Sequence, residues 1–201
     1  MADILYVYEG KVYVNLTNRC CCRCTFCIRK NGDGLGSADT LWHETEPDWP
    51  AVRKAIDGFD FAGYRELTFC GYGEPVYALD VLLQTAEYMK TIHPDIRLRV
   101  NTNGLGNLIW KKDILPQLSR HIDCLSISLN APDEGKYNQI SHPSFDGAFP
   151  ALLAFAEKAK EMVPEVKFTV VDVIPEEDIR ACQHLADRMG IPLRVRAYTA
   201  E

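Results

Sequence analysis

Five of the eight cysteines fall within eight positions, in Arg19-Cys20-Cys21-Cys22-Arg23-Cys24-Thr25-Phe26-Cys27. Thiols at this density either pair as disulfides or hold metal. The opening Met-Ala-Asp-Ile-Leu-Tyr lacks the basic start and apolar core of a secretory signal, so reduced thiols and a cytoplasmic setting are expected. Soft sulfur ligands at short spacing suit zinc or an iron–sulfur cluster. Two registers fit the arithmetic, Cys20-x3-Cys24-x2-Cys27 and Cys21-x2-Cys24-x2-Cys27. A structural zinc site would need a fourth ligand, which Cys21 or Cys22 could supply. A four-iron cubane on three cysteines leaves one iron free of protein, and an open coordination position is where a metal site does chemistry.

The register Cys20, Cys24, Cys27, with the aromatic Phe26 before the last cysteine and a strand expected just upstream, resembles the radical S-adenosylmethionine (radical SAM) superfamily. The resemblance implies a 4Fe-4S cluster on those three cysteines. It also implies S-adenosyl-L-methionine (SAM) chelating the open iron, and reductive cleavage of SAM to a 5'-deoxyadenosyl radical. Cys21 and Cys22 then become small fillers or spare thiols. Cys70, Cys124 and Cys182 lie in apolar segments and read as ordinary buried cysteines.

A second string, Gly71-Tyr72-Gly73-Glu74-Pro75, is similar to the superfamily's Gly-Gly-Glu-Pro motif, with Tyr72 as a variant. Glycines let backbone come close to a ligand, and a carboxylate such as that of Glu74 would attract the methionine amine. The resemblance further places Ser128 and Asn130 at the ribose hydroxyls, the backbone near Val173 and Ile174 beside adenine, and Tyr198 in the same pocket. For Asn130, building a turn is an equal alternative. Asn101 and Asn103 either touch SAM or form a turn with Gly104. Arg194 and Arg196 alternate with apolar positions, which suits a solvated face or the holding of an anion, either a substrate or the SAM carboxylate.

Within the superfamily, the compact length, the Cys70-to-Pro75 string and the lead-in Leu16-Thr17-Asn18-Arg19-Cys20 look most like the small proteins associated with TatD-type hydrolases. Glycyl-radical-activating enzymes and 7-carboxy-7-deazaguanine synthases are alternatives. The resemblance implies an electron donor such as flavodoxin or ferredoxin, a substrate that is a small molecule, protein or peptide, and an association with a TatD-type hydrolase. A non-catalytic iron–sulfur carrier or sensor and a zinc-stabilised interaction module are readings from other classes.

These groups need a scaffold. The chain has 201 residues, 47% hydrophobic and 25% charged, with net charge −6. That is enough for one domain over residues 1–201 with a real core, and the charge leaves no overall footprint for nucleic acid. No apolar run approaches the roughly 20 residues of a membrane helix.

Two β-prone stretches at 4–8 and 12–16 flank Glu9-Gly10-Lys11 and predict a hairpin or lead-in. Strands are then expected at 66–70, 96–101, 122–129, 165–174 and 193–198. Helices are expected at 48–59, 77–92, 108–120 with a kink or break at Pro116, 147–162 and 176–189, and a short helix or loop at 133–140. Gly190 should close the 176–189 helix. The glycine-rich stretch 29–46 reads as a long loop, either a functional lid or a disordered excursion. Trp42 and His43 within it would meet substrate or anchor packing.

Repeated βα units with mostly apolar strands predict a parallel sheet covered by helices. About six units fall short of the eight that close a barrel. The resemblance supplies the shape, a partial (βα)6 TIM-like barrel. In such folds functional groups gather at the C-terminal strand ends. Every motif above falls at one of those ends.

Overall fold

The structure, a computed structural model, describes residues 2–198. It has one seven-stranded sheet in sequence order: β1 (Leu5–Tyr8), β2 (Lys11–Val14), β3 (Glu66–Phe69), β4 (Arg97–Thr102), β5 (Cys124–Ser128), β6 (Glu165–Val171) and β7 (Leu193–Arg196). β1 and β2 form an antiparallel hairpin. Glu9 and Gly10 both take positive φ, 48° and 70°, as a two-residue primed turn requires. From β2 to β7 every pairing is parallel. β1 and β7 are not paired with each other, so the sheet curves without closing. The α/β partial barrel expected from sequence is thus observed, and five helical crossings join the six parallel strands.

Strand alternation decides what the helices cover. Val12, Val14, Leu67, Phe69, Leu98, Val100, Leu125, Ile127, Phe168 and Val170 are buried in one core. Packed on them are α1 (Trp49–Asp57), α2 (Leu79–Ile92), α3 (Gly106–Trp110), α4 (Leu115–Leu118), α5 (Glu134–Ser141), α6 (Ala148–Met162) and α7 (Glu176–Met189). Asp48 and Asp133 cap α1 and α5, accepting from Ala51 N at 3.0 Å and Lys136 N at 2.9 Å, as short polar side chains do at helix starts. Gly190 ends α7 at φ 62°.

Three expectations need correction. The helix expected over 108–120 is two short helices, because Lys111 turns left-handed (φ 51°) and Pro116 opens α4 instead of kinking a longer rod. Residues Pro75–Ala78 form a separate 3-10 turn before α2. Strand β6 stops at Val171, three residues short of the expected end.

The stretch 29–46 is packed onto the sheet and is not a disordered excursion. Leu41 and Ala38 are buried with Tyr6 and Tyr72 in a second apolar cluster on the face of the sheet away from the helices. Ser37 bonds β1 through Ser37 N to Val7 O (2.8 Å) and Val7 N to Ser37 Oγ (2.8 Å), which covers an edge strand that would otherwise be free to pair. Asp3 Oδ2 accepts from Asp39 N, and Asn15 Nδ2 donates to Leu41 O at 2.8 Å. The loop is a strap that fills one side of the concave face.

Candidate functional site

The cysteine loop leaves β2 and lies against the end of α5. Arg23 N and Thr25 N donate to Ser141 O and Ile140 O at 3.0 and 2.9 Å, and Ser144 N donates to Cys21 O at 2.8 Å. This docking sorts the five thiols. Cys21 and Cys22 are buried, while Cys20, Cys24 and Cys27 are half-open. Asn103 Nδ2 holds the two buried sulfurs, at 3.2 Å from Cys21 Sγ and 3.7 Å from Cys22 Sγ. Hydrogen bonding from the Cys22 thiol lowers the Cys20 pKa to about 6, with help from Arg29, and the same thiol lowers that of Cys24. Donating to Cys20 first, Cys22 is itself pushed up and stays protonated. Cys20 and Cys24 therefore favour the thiolate, the form that binds metal.

Cys27 Sγ accepts from Arg29 Nε at 3.4 Å. Arg29 is held in turn by Asn18 O at 3.1 Å and lies against the Trp42 ring. Phe26 is half-buried in the same loop.

The Gly71–Pro75 string occupies the end of β3 beside this loop, and its glycines pack against the chain leaving β2. A Cβ on Gly71 would sit 2.1 Å from Asn15 Oδ1, and one on Gly73 2.2 Å from Thr17 O. The glycines make room for the chain leaving β2. Tyr72 is buried and turns away, donating to Gly32 O at 2.7 Å and meeting Trp42 edge-on. It pins the strap.

Glu74 is 4% exposed. Its carboxylate accepts from Thr102 Oγ1 (2.7 Å), Asn103 N (2.7 Å) and, more weakly, Val76 N (3.5 Å). About one of a carboxylate's roughly four acceptor positions is left. Burial, with the negative charge of Cys20 adding to it, raises its pKa to about 8. It is first of all a strut between the ends of β3 and β4, and Pro75 behind it is buried.

Asn103 builds its turn, accepting from Leu105 N at 2.9 Å, besides gripping the cysteines. Asn101 faces the concave side near Cys70, whose thiol burial pushes up and Asn101 partly pulls back. Cys70 is half-buried, a correction to its reading as a core cysteine; Cys124 and Cys182 are fully buried, as expected. Ser128 is half-buried at the end of β5. Asn130 follows at φ 61°, with Nδ2 on Ser141 Oγ (3.4 Å) and a buried Oδ1 that has no partner. Ser141 also reaches Cys24, so the open acceptor lies one side chain from the cysteine loop.

Val173 is 39% exposed. It lines a cleft of about 260 Å³ with Ile174, Ala131 and Ile140. Tyr198, 40% exposed, donates through its N–H to Asp172 Oδ1 at 2.7 Å and meets Asn31 through its hydroxyl at 3.4 Å. His43 is a packing anchor, its Nε2 3.1 Å from Asn15 O. Arg29, Asn15 and Ser141 were absent from the expected site residues, and Asn18 entered only as part of the lead-in string. Arg29 carried a signal, lying two positions past Cys27; the others acquire roles only through tertiary contact.

No helix among the described residues is long and apolar enough to cross a membrane. Among curated proteins, the chain is 27% identical over 132 residues to GTP 3',8-cyclase of Paenarthrobacter nicotinovorans, covering 66% of this chain and 35% of the cyclase. Among solved structures it superposes on Streptococcus suis SuiB bound to the precursor peptide SuiA with TM-score 0.66 at 18% identity, covering 93% of this chain and 39% of SuiB. A radical SAM methyltransferase from Sphaerobacter thermophilus matches with TM-score 0.61 at 15% identity, covering 96% and 68%. The chain thus spans about a third of the cyclase and of SuiB, and the two structural likenesses concern the fold. The Radical SAM superfamily model matches residues 14–189, from the strand before the cysteine loop to the end of the last helix, and the chain belongs to that superfamily.

Proposed function

We propose that this protein is a radical SAM enzyme whose 4Fe-4S cluster is held by Cys20, Cys24 and Cys27. The observation that carries this reading is the division of the five clustered thiols: three half-open and two buried under Asn103. It favours the Cys20 register, and the all-sulfur donor set suits an iron–sulfur cluster. When bound, cluster and SAM together supply one-electron cleavage of the sulfonium to a 5'-deoxyadenosyl radical.

The chain's own part is binding, orientation and exclusion of water. Asn130 Oδ1, buried and without a donor, suits a ribose hydroxyl, and Ser128 stands at the neighbouring strand end. The apolar part of the Val173–Ile174 cleft, which Lys136, Gln139 and Asp178 also line, suits an adenine face, and Phe26, Asn101 and Tyr198 are assigned to the cofactor by the resemblance alone. Backbone of Gly71 to Pro75 and the remaining acceptor position of Glu74 suit the methionine amine. Tyr72 and Asn103 serve this site from behind, by fixing the strap and the cysteine loop.

The finer assignment, kinship with the small TatD-associated proteins, rests on the Cys70-to-Pro75 string and the Leu16-to-Cys20 lead-in. A TatD-type hydrolase partner, a flavodoxin or ferredoxin donor and a cytoplasmic setting belong to the same proposal. Anaerobic reconstitution with iron and sulfide, then SAM and dithionite, tests the central reading. Formation of 5'-deoxyadenosine is the expected result. Zinc bound without iron, or SAM left intact by a fully loaded cluster, would overturn it.

A further inference from the structure

From β4 to β7, beyond the apolar cluster under the strap, the face of the sheet away from the helices is polar. Register places Arg97, Arg99 and Asn101 of β4 on it, beside Cys124, Ser126 and Ser128 of β5. Glu165, Lys167 and Thr169 of β6 follow, and then Arg194 and Arg196 of β7. The opposite parity, Leu98, Val100, Leu125, Ile127, Phe168 and Val170, fills the helix-covered core.

Charge on this face is layered. At its floor the cations are matched: Arg99 with Glu66 at 2.8 Å, Lys167 with Glu165 at 2.6 Å and Arg97 with Glu165 at 2.5 Å. Above them lie the amide and hydroxyls of Asn101, Ser126, Ser128 and Thr169. At the rim, Arg194 and Arg196 have no ion-pair partner among the described residues. The acid on that edge, Asp172, accepts from Tyr198 N through Oδ1 at 2.7 Å and forms no ion pair with either arginine among the described residues. Five cations face two carboxylates here, in a chain whose net charge is −6. Arg196 also acts electrostatically on Cys70, which stands four strands away at the end of β3, so its charge reaches across the hollow.

We infer that this hollow binds a substrate carrying an oxyanion, a carboxylate or a phosphate, which Arg196 and Arg194 hold while Asn101, Ser126 and Ser128 meet its neutral polar part. The inference rests on the proposed reading for where the radical would form, since the hollow opens at the strand ends that carry the cysteine loop and the Gly71–Pro75 string. A guanidinium fork matches a planar or tetrahedral oxyanion with two parallel hydrogen bonds. The matched floor leaves the rim as the place where an incoming anion gains most.

The test is an NMR titration of the arginine Nε–Hε resonances in the anaerobically purified protein. Inorganic phosphate, succinate, L-methionine and chloride are added separately at matched ionic strength. Saturable shifts of Arg194 and Arg196 with phosphate, succinate or both are expected, and the pattern tells a phosphate from a carboxylate ligand. Arg196→Gln should weaken that binding at least about tenfold, and Arg196→Lys, which keeps the charge and loses the fork, by less.

Absence of saturation, an equal response to chloride, or unchanged affinity in both Arg196 variants would overturn the inference. So would saturation by methionine at lower concentration than by phosphate or succinate, which would give the arginines to SAM. The titration needs no SAM cleavage. Its failure leaves the reductive-cleavage reading standing, and a failure to form 5'-deoxyadenosine leaves the anion site standing.

Discussion

Glu74 and Thr102 meet at 2.7 Å between the ends of two adjacent strands, a buried carboxylate accepting from a buried hydroxyl. Asn103 N adds a second bond at 2.7 Å, and the Asn103 side chain continues to the buried sulfurs of Cys21 and Cys22. One residue of the Gly-Glu-Pro string thus governs where the cysteine loop sits. Glu74→Ala leaves both donors without a partner and should cost about 1–3 kcal/mol, read by denaturant unfolding.

The same carboxylate gives a pH signature. Its pKa rises from 4.5 to about 8, chiefly because it is buried. The unfolded chain therefore releases this proton before the folded one does. Stability is fully present below about pH 4.5 and falls as pH rises toward about 8. Glu74→Gln, unable to ionise, should lack this decline between pH 5 and 8. Equal slopes for Glu74→Gln and wild type would contradict the assignment.

The cysteines divide by accessibility, and substitution should follow that division. Cys20→Ala, Cys24→Ala and Cys27→Ala should each abolish cluster assembly, measured as iron and sulfide per chain after anaerobic reconstitution. Cys21→Ala and Cys22→Ala should assemble it. If Cys21→Ala loses the cluster while Cys20→Ala keeps it, the other register is correct.

Gly73→Ala would place a Cβ 2.2 Å from Thr17 O. Backbone cannot swing aside as a side chain can, so the loops leaving β2 and β3 should separate, at a cost of about 1–3 kcal/mol. Gly32→Ala, with nothing within 4 Å, should stay within about 0.5 kcal/mol of wild type. Thermal unfolding of the pair separates a packing role for Gly73 from a ligand-clearance role.

Which features could be read in advance follows from the kind of force that fixes them. Strand alternation marks buried faces, so Val12, Leu67, Val100 and Phe168 announced the sheet, and parallel order then brought their polar ends to one edge. The same alternation would have placed Cys70 correctly: it shares parity with Glu66 and Thr68, not with Leu67 and Phe69. Only its apolar neighbours suggested a core thiol. Tyr72 was not legible, since a residue between two glycines can turn either way and its direction is set by Gly32 O and Trp42, distant in sequence. The strap shows no hydrophobic period, being held in large part by hydrogen bonds to Asn15, Asp3 and Val7, distant in sequence.

The strap is also sensitive to acid through His43. His43 is buried under it, with Nε2 3.1 Å from Asn15 O, so the ring must carry its proton there and donate. His43 N and O in turn pair with Asn18, just before the cysteine loop. Burial lowers the His43 pKa below 6.5, although the Asn15 carbonyl and Glu46 pull the other way. As pH falls through about 6.5 the unfolded chain gains a proton that the folded chain refuses, so the strap's stability falls with acidification. Intrinsic amide exchange slows from pH 7 to pH 5, and exchange at Leu41 and Trp42 should slow less than that, an excess that measures the opening of the strap. His43→Gln keeps a donor for Asn15 O without a titrating ring and should remove that excess. Tyr72→Phe, which loses the bond to Gly32 O, should quicken exchange in the strap at both pH values, by the equivalent of about 1 kcal/mol, and leave the pH excess in place. An excess that survives in His43→Gln would assign the acid sensitivity to another group.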